Sequence, residues 1–232
     1  MYGRININCR ISYIRDVENK LSGADWKRIV ASPFGNVVKM LRGISFSSQT
    51  VHYVLFKQLK SKKKWETWYE IGGKELRFSM KEFALITGLN CGSFPIESSG
   101  TTRKKDLQVM EKFFGGPAGP KTTVQDLYER FKEYRVLDNY KLKLALLLIV
   151  EGIFLGGDKK RLVKVEHVKL LDNMDKFWDY PWGRVAYIEL HRSLTKSLAR
   201  RMLTVEKAMF LSNDQGMPVV FQVLYIYIHA LN

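Results

Sequence analysis

Cys91, in the run Asn90-Cys91-Gly92, is the residue whose type and setting come nearest to catalytic chemistry. A cysteine followed by glycine, served by a distant histidine and an acid, is a pattern of thiol proteases. In one such order the histidine comes first, then an acid, then an Asp-Cys-Gly nucleophile. Here His52 is the only histidine upstream, no aspartate lies between it and Cys91, and Asn90 stands where the acid would be. The reverse order would draw on His167, His191 or His229, whose flanking residues give no support. The residues therefore read as the finish of a helix, and no catalytic residue is expected.

Residues 115–123, GGPAGPKTT, have the outline of a phosphate-binding loop. That mechanism needs glycine directly before lysine, so that backbone amides wrap the phosphates, and a strand leading into the loop. Pro120 holds the glycine position and removes an amide, while the preceding EKFF reads as helix. No nucleotide or other cofactor is expected. The four histidines are isolated from one another and from Cys9 and Cys91, so no metal-ligand spacing arises. Paired carboxylates and His-Glu-x-x-His arrangements do not rise above background either.

Charge points to a different chemistry. The chain has 232 residues, with 38 Lys and Arg against 23 Asp and Glu, a formal net charge of +15; the sequence pI is about 9.7. Such a balance favours polyanionic partners, nucleic acid above all. The basic residues fall in separate clusters: residues 57–64 (KQLKSKKK), 103–105 (RKK), 159–164 (KKRLVK) and 184–201. Lys62, Lys63, Lys64, Arg184, Arg192, Lys196 and Arg200 are the candidate polyanion contacts. A solvated basic face fits the same residues, because helical period alone does not say what covers them.

These residues must be held by a fold, and the pattern is mostly helical. Ile5, Ile7, Cys9 and Ile11 alternate as in a short strand. Trp26, Ile29 and Val30 form a helical stripe that Pro33 interrupts, and Phe34, Val37, Val38 and Leu41 form the next. Val51, Val54, Leu55 and Leu59 share a third face, with Ser47 or Ser48 as its cap. The period then changes to two: Trp65, Thr67, Tyr69 and Ile71 alternate with polar residues or Trp68, Gly72-Gly73 supplies a tight turn, and Leu76 and Phe78 return. Ser79 and Glu82 form a capping box, Phe78 and Phe83 a hydrophobic staple, and Gly88 a left-handed helix end. These five residues are expected to define the fold there.

Residues 93–122 are rich in Ser, Gly, Pro and Thr apart from a helical patch near Leu107, and read as a variable loop. Thr123 and Asp126 cap a helix carrying Val124, Leu127, Tyr128 and Phe131 inward. LALLLIV, residues 144–150, lies between Lys143 and Glu151 and is too short to span a bilayer, which needs about 20 apolar residues. It reads as the central buried helix, ended by Gly156-Gly157. Val168, Leu171 and Met174 suggest another helix. Beyond Pro181 a last stripe runs through Tyr187, Leu190, Leu194 and Leu198, and residues 216–232 read as a closing apolar helix starting near Pro218, with a strand as the lesser option. Two cysteines and no secretory signal indicate a reducing, intracellular setting without membrane attachment.

The block ELRFSMKEFALITGLNCGSFP, residues 75–95, resembles the most distinctive segment of a plant-specific domain of unknown function common in transposon-derived proteins. KLKLALLLIVEGIFLGG, FWDYPWGRVAYIELHRSL and GMPVVFQVLYIYIHALN follow in matching order. That domain often precedes a SUMO-specific cysteine protease domain. The resemblance implies plant origin, mobile-element ancestry and a nuclear rather than cytoplasmic setting, and supplies no functional residues. The chain stops where the domain stops, so no protease activity is expected. Its last block lacks the usual Glu-Ala-Ile-Pro, as in a truncated or degenerating copy.

The expected fold is mainly α: a single helical domain with one small β-hairpin over residues 68–78 and a short N-terminal strand. It divides into residues 1–92, the variable loop 93–122 and a helical half 123–232. The expected function is a non-enzymatic interaction or scaffolding module of transposon-derived origin with an unknown protein partner. Nucleic-acid binding through the basic surface is the alternative, and a cysteine enzyme at Cys91 the third reading.

Overall fold

In the computed structural model the described residues are 5–7, 10–43, 47–61, 63–95, 107–116, 121–156, 158–203 and 212–214. For 5–7, Ser48, His52, 196–203 and 212–214 the description covers the backbone alone. Strand β1 (Ile5–Ile7) is followed by helices α1 (Ser12–Lys20), α2 (Gly23–Ala31) and α3 (Gly35–Gly43). Ile11, expected to continue the strand, has helical backbone at the head of α1. Tyr13, Ile14 and Val17 take over with helical spacing and are buried, so period two ends before Ile11. Ser22 caps α2, and Pro33 falls between α2 and α3, where its ring and missing amide forbid a continuous helix.

Ser47 caps α4 (Ser48–Phe56), accepting from the Thr50 amide at 3.3 Å. Val51, Val54 and Leu55 are buried as expected, but Leu59 does not extend that face. The helix stops and Leu59 lies in strand β2 (Gln58–Leu59). Lys57 is where the pattern switches: its carbonyl accepts from the Glu70 amide at 2.8 Å, a bond across a sheet instead of along a helix. The expected hairpin, β3 (Glu66–Ile71) and β4 (Lys74–Ser79), therefore gains a third antiparallel strand in the order β2-β3-β4. Thr67, Tyr69 and Ile71 face inward opposite Phe78, Leu76 and Lys74. Gly72 and Gly73 both have positive φ, as a two-residue turn of matching twist requires.

Helix α5 (Met80–Thr87) leaves the sheet at once; α6 (Gln108–Phe114) and α7 (Val124–Glu133) precede α8 (Asn139–Ile149). The central helix is buried from Lys141 to its end, and each fully buried leucine contributes about 2 kcal/mol relative to exposure. It does not end as a plain α-helix but widens into a π-helical turn, Val150–Phe154. Where one helix was expected around Val168 to Met174 there are two, α9 (Val165–Leu170) and α10 (Met174–Asp179), since Asn173 caps a new start by accepting from the Lys176 amide at 3.1 Å.

Helix α11 (Trp182–Leu203) packs against α5, the π turn and strand β5 (Ser212–Asp214). β5 pairs in parallel with β1, a contact between chain ends that no local pattern announces. The helix expected at residues 216–232 and Cys9 of the expected strand lie outside the described residues. Side chains from before and after the variable loop share one hydrophobic core, giving a single mainly α domain. Among the described residues no helix is long and apolar enough to cross a membrane.

Candidate functional site

The TGLNCG corner is built from its cap outward. Ser79 Oγ accepts from the Lys81 amide at 3.2 Å and donates to Glu82 Oε2 at 2.6 Å, while the Ser79 amide donates to the same oxygen at 2.8 Å. Arg77 adds a bond to Glu82 Oε1 at 2.9 Å. Burial pushes the Glu82 carboxyl up, but the hydrogen bonds from Ser79 and Arg77 outweigh it and hold the group below its ordinary value. Phe78 and Phe83 are fully buried against the Tyr187 ring, at 5.9 and 5.7 Å between centroids. Gly88 then ends α5 at φ 69, where an L side chain would be strained.

Past Gly88 the chain docks onto the start of α11. The Asn90 carbonyl accepts from the Gly183 amide at 2.8 Å, its side-chain amide donates to the Asp179 carbonyl at 2.9 Å, and its Oδ1 accepts from the Gly92 amide at 2.8 Å. Arg184 Nε donates to the Gly92 carbonyl. The approach is close enough that a Cβ on Gly183 would lie 2.6 Å from Cys91 Sγ and 2.8 Å from the Asn90 carbonyl oxygen. Cys91 is half-buried, and burial pushes its thiol up to about 11, with Arg184 pulling weakly the other way. It is held as a protonated thiol at neutral pH, the opposite of what a nucleophile needs.

A second constellation is assembled from residues that no sequence motif pairs. Glu151, in the π turn, is fully buried, with His167 Nδ1 at 2.7 Å from Oε1 and an Arg161 guanidinium nitrogen at 2.6 Å from Oε2. Lys164 donates its amide to Oε1 at 3.3 Å, and the Arg161 guanidinium also donates to the Glu151 carbonyl at 2.6 Å. Burial pushes this carboxyl up, yet the His167 hydrogen bond and charge and the Arg161 guanidinium more than offset it. The His167 ring is closed in by Trp182 at 5.0 Å and Tyr180 at 6.1 Å. Nearby on α8, buried Lys143 pairs with Asp172 at 3.6 Å, and buried Lys141 donates to the Phe131 and Tyr134 carbonyls at the end of α7. The hint in the sequence was the charge set inside an apolar helix, Lys141, Lys143 and Glu151, too short to be a membrane span.

The basic candidates divide. Lys63 and Lys64 sit in the turn before β3, and the residue after them, Trp65, is fastened to α11: Tyr187 donates to the Trp65 carbonyl at 2.7 Å, and the Trp65 and His191 rings lie 5.2 Å apart. Exposed Arg192 follows His191 in α11, one residue from the ring contact that ties Trp65, and with it the Lys63-Lys64 turn, to this helix. Lys64 Nζ stands 5.6 Å from the Trp65 ring. Arg184 is engaged in the corner and does not join them. Lys62 lies outside the described residues; Lys196 and Arg200 continue the α11 backbone beyond Arg192, without described side chains. Trp65 and His191 were not singled out as functional; an aromatic next to a lysine run was the available signal. Burial alone holds the His191 imidazole below its ordinary value. Among the described residues no His, Cys, Asp and Glu group is placed to hold a metal.

A family model described as "Domain of unknown function (DUF1985)" matches residues 55–193. The match takes in the three-stranded sheet, the docked corner, the Glu151 cluster and the exposed turn of α11 at Arg192. No curated protein and no solved structure matches the chain.

Proposed function

The chain belongs to the DUF1985 family of domains of unknown function, and we propose that it works as a non-catalytic interaction module that positions a macromolecular partner. One observation carries this reading: the side chains with the greatest chemical potential are spent on holding the fold. Cys91 is a half-buried, protonated thiol wedged against Gly183, and the Glu151 carboxylate, the His167 ring and the Arg161 guanidinium are engaged with one another beside Trp182 and Tyr180. Resemblance of the residue 75–95 block to transposon-derived plant proteins supports a mobile-element origin and a nuclear setting for that partner.

The test joins reactivity to binding. Iodoacetamide labelling of Cys91 in a Cys9→Ser background should run slower than labelling of free cysteine at neutral pH, because a thiol near 11 is scarcely ionised there. The Cys91→Ser chain should retain any partner that the parent chain captures from nuclear extract and the heat-unfolded chain does not. Labelling faster than free cysteine, or a hydrolytic activity lost in Cys91→Ser, would overturn the reading.

A further inference from the structure

We infer that the ridge formed by Lys63, Lys64, Trp65 and Arg192 is a binding surface for single-stranded nucleic acid. The inference rests on the interaction-module reading and deepens it by naming a class of partner. Trp65 is 42% exposed although the backbone that carries it is fixed to α11 through the Tyr187 hydroxyl. An exposed indole that is anchored at its own carbonyl and braced on one side by His191 has little freedom to lose when a flat ring stacks on it. Unpaired bases offer such rings, whereas in a duplex they are stacked on one another.

The charges around the indole suit a phosphate chain passing over it. Lys64 stands beside the ring at 5.6 Å and Lys63 precedes it. The sheet register sets Leu59 opposite Trp68, which brings exposed Lys60 level with the same end of β3. Exposed Arg192 is the neighbour in α11 of His191, the residue that braces the indole. Two acids lie within this ridge, and each is held loosely: Lys63 to Glu66 at 3.7 Å and Arg192 to Glu189 at 3.4 Å, both with the cation mostly in solvent. Exposed pairs of this kind contribute little, so a phosphate can take the cation from its carboxylate at small cost. In the helix backbone, residues 196 and 200 follow Arg192 at one- and two-turn spacing. The ridge therefore has the two parts that sequence-tolerant single-strand binding needs, a π face and flanking cations.

The test uses anisotropy titrations of the whole chain against labelled oligothymidylate and oligouridylate of about twelve nucleotides, against a duplex of the same length and against heparin. Both single strands should bind more tightly than the duplex and heparin, with affinity falling steeply as salt rises; a preference between them would say whether DNA or RNA is the ligand. Trp65→Leu, which keeps an apolar contact for His191, should weaken single-strand binding about fivefold to a hundredfold. Should that variant lose its fold by circular dichroism, the triple variant Lys63→Glu, Lys64→Glu, Arg192→Glu carries the test, since all three are exposed; it should lose about tenfold or more, while Lys159→Glu with Lys160→Glu should change little. Equal binding of heparin, duplex and single strands with no effect of Trp65→Leu would overturn the inference. So would absence of binding at low salt; protein partners captured by such a chain would then leave the interaction-module reading standing by itself.

Discussion

Glu151→Gln isolates the charge of the buried cluster from its packing. Glutamine keeps the length and planar head of the side chain, but turns one acceptor oxygen into a donor amide. That amide must face either Arg161, at 2.6 Å in the parent, or His167 and the Lys164 amide, at 2.7 and 3.3 Å. Either way a donor meets a donor, and the Arg161 guanidinium loses its counter-ion. Removing one partner of a buried pair costs about 3–5 kcal/mol. The Arg161 side chain retains 22% of its exposure, so water recovers part of that, and about 2–4 kcal/mol is expected. For a domain of this size the melting temperature should fall by about 2–4 °C for each kcal/mol.

Urea denaturation followed by far-ultraviolet circular dichroism measures the loss, and pH separates charge from shape. The folded Glu151 carboxyl titrates below its unfolded value. Its contribution is therefore fully present above the unfolded carboxylate range, near pH 4.3, and is lost as pH falls through the folded value. The gap between parent and Glu151→Gln should be widest at neutral pH and close in acid. A gap under about 0.5 kcal/mol at neutral pH, smaller than any named destabilising mechanism gives, would refute the reasoning. A loss independent of pH would assign it to packing instead.

Gly183→Ala tests the docked corner by sign: alanine in a helix is ordinarily favoured by about 1 kcal/mol over glycine, yet here its Cβ would lie 2.8 Å from the Asn90 carbonyl oxygen and 2.9 Å from Leu89 Cβ. A net loss of about 1–3 kcal/mol is expected in chemical denaturation, and a gain would show that the corner is loosely held. His191 provides a pH test of the Trp65 anchor: burial holds its folded value below the unfolded one, so its stability contribution is full above about pH 6.5 and is lost as pH falls through the folded value. His191→Gln should flatten the fall in melting temperature between neutral and mildly acidic pH; an unchanged slope would remove His191 from that account.

What could be read beforehand was whatever lies within a few residues. The capping boxes at Ser79 and Thr123, the helix end at Gly88 and the Gly72-Gly73 turn are short-range bargains between side chains and nearby amides, and spacing states them fully. Leu59 departs from its helical spacing because the Lys57 carbonyl finds its donor, the Glu70 amide, on another strand, and no local pattern announces that. Long-range choices left weaker traces. Asp172, His167 and Arg161 all lie downstream of the buried charges they meet, and nothing in helical period pairs them with Lys143 and Glu151. Parallel pairing of β1 with β5 is the extreme case, joining Ile5 to Ser212.

The same helix positions both the TGLNCG corner and the proposed ridge. α11 receives the TGLNCG corner at Gly183 and Arg184, and one and two turns later it receives the Phe78 and Phe83 rings and the Trp65 carbonyl at Tyr187, then the Trp65 ring at His191. Tyr187 is thus shared: its buried ring closes the staple, and its hydroxyl ties down the turn that carries Lys63 and Lys64. A phenol used in this way links the order of an exposed basic turn to the integrity of the core beneath it. The sheet alone could not supply that link, because the turn precedes the first paired residues of β3 and β4, Glu66 and Ser79. Holding the corner's geometry and presenting an anchored indole beside cations are then consequences of one packing arrangement.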